Sequence, residues 1–358
     1  MFRLYFQMEA TMKKKWLVII FAVILLILGV LGKELTQQKQ QDVMVDWFAN
    51  NEINSLSTKE LRSGSSDSEI AVLSIKGTIQ GGNNNSLSAM SEGYNHEKTL
   101  QVIEQIKEDE NIKGLVLAVD SPGGTTYHSA ELKNKLNDLK AARDIPIYVS
   151  MGTTAASGGY MISAEADKIY ANKETVTGSI GVIMQMPNYH EFLDEHGIKM
   201  TTYKSGDHKD MGSPFKDANK EEQKIFESMI DESYEDFVSV VADGRGMSKN
   251  EVKELADGRV YSGQQAKDNG LVDSIGNQDD TIDTMMGDND LSSARVVDVT
   301  PNKEQDFFSQ LFSNVQQFIS LTGRTDSTAN DLKAIDHMIK DAKAPQLYYL
   351  YGGGENAI

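Results

Sequence analysis

From Ile70 onward, short apolar runs alternate with amphipathic stretches. Ile70 to Ile75 reads as a strand, His96 to Glu108 as a helix with Leu100, Ile103 and Ile106 on one face, and Ile112 to Val119 as a buried strand. A second round predicts a helix over Tyr127 to Ala142, a strand over Pro146 to Ser150, a helix over Ala155 to Ala166, and strands over Lys168 to Ala171 and Lys199 to Lys204. Thr175 to Val182 is too rich in glycine for a plain element. Lys220 to Val241 carries Ile225, Met229, Phe237, Val240 and Val241 at helical spacing, and Gly244-Arg245-Gly246 ends it. Ser248 with Glu251 three residues on is a capping box that opens a short helix. This order predicts an α/β domain of crossover units beginning at about Glu69. After about Asp290 the pattern weakens, and no internal repeat is present.

Ahead of the domain, Trp16 to Gly32 is an uncharged run of 17 residues behind Lys13, Lys14 and Lys15. As a helix it is roughly 26 Å long, near the lower limit for a bilayer span. Lysines on its N-terminal side predict a cytoplasmic N-terminus and an extracytoplasmic remainder. A cleaved signal is the alternative, although Val30-Leu31-Gly32 is a poor small-x-small site. The expected organisation is residues 1–15 cytoplasmic, 16–32 anchor, 33–68 polar stalk, 69–290 folded domain and 291–358 an extension with a flexible tail.

Composition narrows the chemistry. A formal net charge of -18 argues against a nucleic-acid partner, which requires surplus Lys and Arg. The absence of cysteine excludes thiolate nucleophiles, disulfides and Cys-bound metals. The six histidines show no His-Glu-x-x-His spacing, so a zinc protease is disfavoured, and no metal or other cofactor is implied.

Three stretches fall at the ends of predicted strands, where open α/β sheets place their sites. In Asp120-Ser121-Pro122-Gly123-Gly124, two glycines can turn backbone N–H groups toward a ligand, or simply make a tight turn. In Ala155-Ala156-Ser157-Gly158-Gly159-Tyr160, the serine sits near a helix start among small residues, as an exposed nucleophile or as an ordinary N-cap. Thr177-Gly178-Ser179-Ile180-Gly181-Val182 offers a hydroxyl in a turn, able to hold a neutral amine. Lys209 lies in Ser205-Gly206-Asp207-His208-Lys209-Asp210, in isolation a surface loop.

Together with Tyr203-Lys204-Ser205-Gly206 and Ala256-Asp257-Gly258-Arg259-Val260-Tyr261, these motifs resemble bacterial signal peptide peptidase A, over roughly Ile70 to Gly276. The resemblance implies a Clp protease/crotonase-like spiral of repeated β-β-α units and a membrane-anchored serine endopeptidase without a cofactor. It makes Ser157 the nucleophile and Lys209, 209 − 157 = 52 residues downstream, the general base. Ser179 matches the residue that orients the lysine, Gly124 matches an oxyanion donor, and Gly158, next to the nucleophile, is the expected second donor. Lys204 is the competing base, and His208 a competing partner for Ser157. The implied substrates are remnant signal peptides and other unfolded apolar peptides met at the plasma membrane. A homo-oligomeric ring is also implied, because the chain carries one copy of each motif and family sites draw serine and lysine from different repeats or protomers. The tail Leu347-Tyr348-Tyr349-Leu350-Tyr351, apolar and followed by glycines, is a candidate self-substrate. Two rival classes share the expected fold: a crotonase-like acyl-CoA enzyme and a non-catalytic, membrane-tethered peptide-binding scaffold.

Overall fold

The computed structural model describes residues 56, 58–81, 94–301 and 348–350. The expected anchor Trp16–Gly32, most of the stalk, and most of the C-terminal extension lie outside the described residues. Among those described, no helix is long and apolar enough to cross a membrane.

In chain order the elements are β1 (Lys59–Arg62), β2 (Ser65–Lys76), α1 (His96–Glu108), β3 (Ile112–Ser121), β4 (Gly123–Thr125), α2 (Thr126–Arg143), β5 (Ile147–Ala156) and α3 (Gly158–Met161). They continue with β6 (Lys168–Ala171), β7 (Val176–Gly178), α4 (His190–Glu195), α5 (Lys220–Arg245), α6 (Lys249–Leu255), β8 (Val260–Ser262) and α7 (Gly263–Asp268). β9 (Ser274–Ile275), α8 (Gln278–Asp288), β10 (Ala294–Asp298) and β11 (Tyr348–Leu350) complete the set.

The main sheet runs β1-β10-β2-β3-β5-β6-β9, parallel from β10 to β9 with β1 antiparallel at the edge. Parallel strands joined by crossover helices are covered on both faces, which explains their almost continuous apolar sequences. Ala71, Leu73 and Ile75 of β2 face one cluster with Ile103, Leu132 and Phe237 from α1, α2 and α5. Ile70 and Val72, pointing the other way, pack with Val116, Tyr148 and the α8 residues Ile282 and Met285. This is an α/β fold.

β5 forks. Tyr148–Met151 pair with β6, whereas Thr154–Ala156 pair with β7, which in turn pairs antiparallel with β8. The fork explains why the predicted helix over Ala155 to Ala166 is absent at its start: Ala155 and Ala156 are still strand, and α3 is a single turn. The predicted strand over Lys199 to Lys204 is also absent. Met200 and Tyr203 there are 56% and 94% exposed, and among the described residues no strand pairs with the segment. β1 and the first residues of β2 fall within the expected stalk, and β10 within the expected extension. Their alternation is weak because β1 and the N-terminal end of β2 are mostly exposed and held by backbone pairing.

Helix ends are well supplied. Asn219 and Glu222 form a capping box at α5, Ser248 and Glu251 the expected one at α6. At the end of α2, the Arg143 guanidinium donates to the carbonyls of Ile106, Lys107, Asp109 and Ile112, tying the last turn of α1 to β3. Ile106 and Lys107 lie in the last turn of α1, where carbonyls have no intrahelical partner. Arg143→Ala is expected to lower the unfolding free energy by about 1.5–3 kcal/mol, read from the midpoint of urea denaturation, with Arg143→Lys losing part of that amount.

Candidate active site

Ser157 sits where β5 gives way to α3, with φ 53° and ψ -117°. A side chain at positive φ is strained, at a cost of about 1–3 kcal/mol, so the surrounding contacts must impose the conformation. They are visible: Ser157 N donates to Gly178 O at 2.8 Å, and Met161 N donates to Ser157 O at 2.9 Å. The side chain makes no capping hydrogen bond, so the ordinary N-cap alternative does not describe this serine. The residue is buried, and its peptide leads directly into the amides of Gly158 and Gly159.

Close packing of main chain explains the glycines around it. A Cβ on Gly124 would lie 1.8 Å from Ile79 O, and one on Gly158 would lie 2.4 Å from Ser129 Oγ and 3.2 Å from Gly124 N. Gly123, at φ 100°, would carry a Cβ 2.0 Å from Tyr349 O and 2.6 Å from Gly158 N. The turn itself is held by Ser121, whose Oγ accepts from Gly123 N at 3.1 Å.

The peptide direction of β4 follows from its partners. Ile79 N donates to Gly123 O at 2.7 Å and Thr125 N to Ile79 O at 3.0 Å. Backbone groups alternate sides along a strand, so the N–H and C=O of Gly124 face away from Ile79. On that side lies β11, antiparallel, with Tyr349 in register with Gly124. The far edge of β11 is bound as well: Tyr348 and Ile183 exchange two backbone hydrogen bonds, at 3.0 and 3.1 Å. The tail is thus an extended strand between β4 and Ile183, with the Tyr349 carbonyl flanking the same small volume as Gly158 N. The Tyr349 ring is buried edge-to-face on Phe237, and its hydroxyl donates to Ser233 O at 2.8 Å. Burial pushes this phenol well above its ordinary pKa.

Ser179 follows β7 and also has positive φ, 50°, with its N donating to Arg259 O at 2.8 Å. Through the Ser157–Gly178 bond the structure brings Ser157, Ser179, Gly158 and Gly124 into one backbone framework. Lys209 is not part of it. It lies in an exposed turn of residues 205–213, and among the described residues no hydrogen bond or ion pair joins its amine to Ser157 or to any other group. Lys204, the competing base, is occupied: its amine donates to Asp207 O and Asp210 Oδ1, both at 2.7 Å. His208 faces Glu221 at 3.7 Å.

Two participants had little sequence signal. Ser129 is fully buried, its Oγ has no hydrogen-bond partner among the described residues, and it faces Gly158. It stands as a polar residue at the start of the buried α2 stripe that continues through Leu132, Leu136 and Leu139, the one hint available. Phe237, the platform for Tyr349, reads from sequence as ordinary core. Among the described residues no group of His, Asp and Glu is arranged to hold a metal ion. A cavity of about 600 Å³ between the ends of β2, β3 and β5 and the start of α8 includes none of the expected site residues.

Comparison with known proteins bears on the chemistry of this framework. The model of peptidase family S49 matches residues 140–292. A protein of Enterococcus faecium named as a signal peptide peptidase SppA is 38% identical over 349 residues, 95% of this chain and 99% of that protein. Protease 4 of Haemophilus influenzae is 33% identical over 214 residues, 60% of this chain and 34% of that protein. Among solved structures, a ClpP1 mutant from Listeria monocytogenes aligns with a TM-score of 0.37 and 17% identity, covering 59% of this chain and 94% of that one. With the Enterococcus protein matched along nearly its whole length, the chain belongs to peptidase family S49, and it is a serine peptidase.

Proposed function

We propose that this peptidase is held at the plasma membrane by residues 16–32, with its catalytic domain extracytoplasmic, and hydrolyses remnant signal peptides and other unfolded apolar peptides. In this reading the α/β domain is of the Clp/crotonase-like type and assembles as a homo-oligomeric ring. Ser157 is the nucleophile, Lys209 of a neighbouring copy the general base, and Ser179 the hydroxyl that orients the amine. Gly124 and Gly158 supply the oxyanion N–H groups.

The observation that carries the reading is the strand made by the chain's own tail. A peptide lying between β4 and Ile183 presents a carbonyl beside Gly124 and Gly158, one residue from the strained Ser157 peptide. An extended, backbone-paired substrate must be unfolded, and Tyr349 in its apolar pocket against Phe237 fits a preference for apolar side chains. A lysine accepts a proton only when neutral, and a free lysine, with a pKa of about 10.4, is charged near neutrality. Enclosure between two subunits would disfavour the ammonium form. The exposed apolar side chains Ile198, Met200 and Tyr203 beside the Lys209 turn support such an enclosure.

The steps follow from these placements. Ser157 Oγ gives its proton to the lysine amine and bonds to the carbonyl carbon, the N–H groups of Gly124 and Gly158 receive the oxyanion, and the lysine returns the proton to the leaving amine. Water then cleaves the acyl-enzyme. Applied to the tail, the attacked carbonyl is that of Tyr349 and the leaving amine that of Leu350.

Ser157→Ala and Lys209→Ala are each expected to lower kcat on a fluorescent peptide by on the order of 10⁴-fold or more. Mixed assemblies of the two variants should regain activity, and verified mixed rings that stay inactive would refute shared sites. A fluorophosphonate should label Ser157 in the wild type; absence of labelling would turn the assignment toward acyl-CoA chemistry on this fold. Intact mass after incubation should show the wild type ending at Tyr349 and Ser157→Ala ending at Ile358, and the same C-terminus in both would remove the tail as a self-substrate.

A further inference from the structure

The segment from Met184 to Asn219 has one short helix, α4, none of whose residues is buried. Such a segment has no core to fix its shape. A base carried on it must still meet a hydroxyl to within a fraction of an ångström, since a 1 Å misplacement costs roughly 100-fold in rate. Something other than apolar packing therefore has to hold the turn around Lys209.

A chain of alternating charges runs through this turn. Lys204 Nζ donates to Asp210 Oδ1 at 2.7 Å, Lys216 Nζ lies 3.0 Å from the same oxygen, and Lys216 Nζ donates to Glu222 Oε1 at 2.6 Å. Glu222 is fully buried, and its second oxygen accepts from Asn219 N at 3.2 Å in the capping box that opens α5. Lys204 also donates to Asp207 O, closing the turn from its other end. The backbone adds Lys209 N to Gly206 O at 3.2 Å and Ser213 N to Asp210 O at 3.1 Å. The Asp210 side chain is only 15% exposed and faces the two lysines, while its neighbour Lys209 points to solvent. Two ammonium groups on one carboxylate hold Asp210 well below its usual range, to a pKa of about 2, so the link stays charged at any pH at which the enzyme would work.

We infer that Lys204, Asp210, Lys216 and Glu222 are positioning residues that clamp the Lys209 turn to the start of α5, holding the base in a fixed outward orientation for a neighbouring subunit. The inference rests on the proposed role of Lys209. α5 is a suitable anchor because its C-terminal half, including Phe237, Val238 and Val241, is embedded in the core. Phe237 is also the residue against which Tyr349 packs. One helix therefore carries the clamp at its first turn and the peptide pocket four turns later. The Lys204 end of the clamp is solvent-accessible and contributes little to global stability, whereas Lys216 also neutralises the buried Glu222 carboxylate, so alignment has to be read under conditions where the fold is intact.

Lys216 joins both carboxylates and is the residue to change, in the full-length assembled protein. Lys216→Met keeps the aliphatic stem and breaks both links, and is expected to lower kcat roughly 10- to 100-fold with KM within about twofold. Because Lys216→Met leaves the buried Glu222 carboxylate without its counter-charge, the melting temperature should also fall, so kcat is compared well below both midpoints, and Lys216→Arg, which retains donors for both carboxylates, should restore most of kcat. Lys135→Met, which breaks a comparable pair with Glu104 between α2 and α1, should leave kcat unchanged. A Lys216→Met enzyme with wild-type kcat, or one whose loss tracks a loss of assembly in sedimentation, overturns the clamp. If Lys209→Ala is inactive while Lys216→Met is not, the dyad stands and the clamp falls. If Lys209→Ala is active, both fall.

Discussion

Main chain approaching main chain is the constraint on which the site is built. Gly123 and Gly124, Gly158, and the carbonyls of Ile79 and Tyr349 crowd a space that no side chain can enter. Nucleophilic attack on a peptide needs this: the attacking oxygen, two N–H donors and the substrate carbonyl have to converge within hydrogen-bonding distance, and a methyl group on any of the three glycines would push the strands apart. The strain at Ser157 belongs to the same arrangement. Its positive φ is tolerated because the bond to Gly178 O and the first turn of α3 fix both sides of the residue.

The sheet that supports this crowding was largely legible from apolar patterning. β2, β3 and β5 are buried on both faces, so their sequences are nearly unbroken apolar runs, and the helices His96–Glu108 and Tyr127–Ala142 carry a stripe that matches the faces they cover. What patterning missed has a physical reason in each case. β1, Lys-Glu-Leu-Arg, has almost no apolar signal and owes its place to backbone pairing with β10. The continuation of β5 through Ala155 and Ala156 was hidden by small residues with good helix propensity. Lys199 to Lys204 looked like a strand because apolar and polar residues intermingle there, but a strand needs a neighbour, and among the described residues none pairs with it.

Of the candidate site, Ser157, Ser179, Gly124 and Gly158 were legible as residues from their motifs at the ends of predicted strands, and the structure places them in one backbone framework. Their geometry was not. That Ser157 spends no hydroxyl on capping, that Ser129 faces Gly158 from α2, and that Tyr349 reaches β4 across more than two hundred positions of sequence are tertiary facts. The charge chain around Lys209 was invisible for another reason. Lys204, Asp210, Lys216 and Glu222 recur every six residues, a spacing that a helix would scatter around its axis, and the first three lie in chain that is neither helix nor strand.

The fork in β5 has a mechanical consequence. A strand bonded to β6 over its first half and to β7 over its second cannot slide against either without breaking the other, and Ser157 is attached at the end of the doubly held portion. Ser157 and Ser179 therefore travel together as a rigid wall. In the proposed site, entry and exit of a peptide fall to the opposite bank, where Ile183 leads into a segment with little packing, and it is there that differences in turnover between relatives of this enzyme should originate.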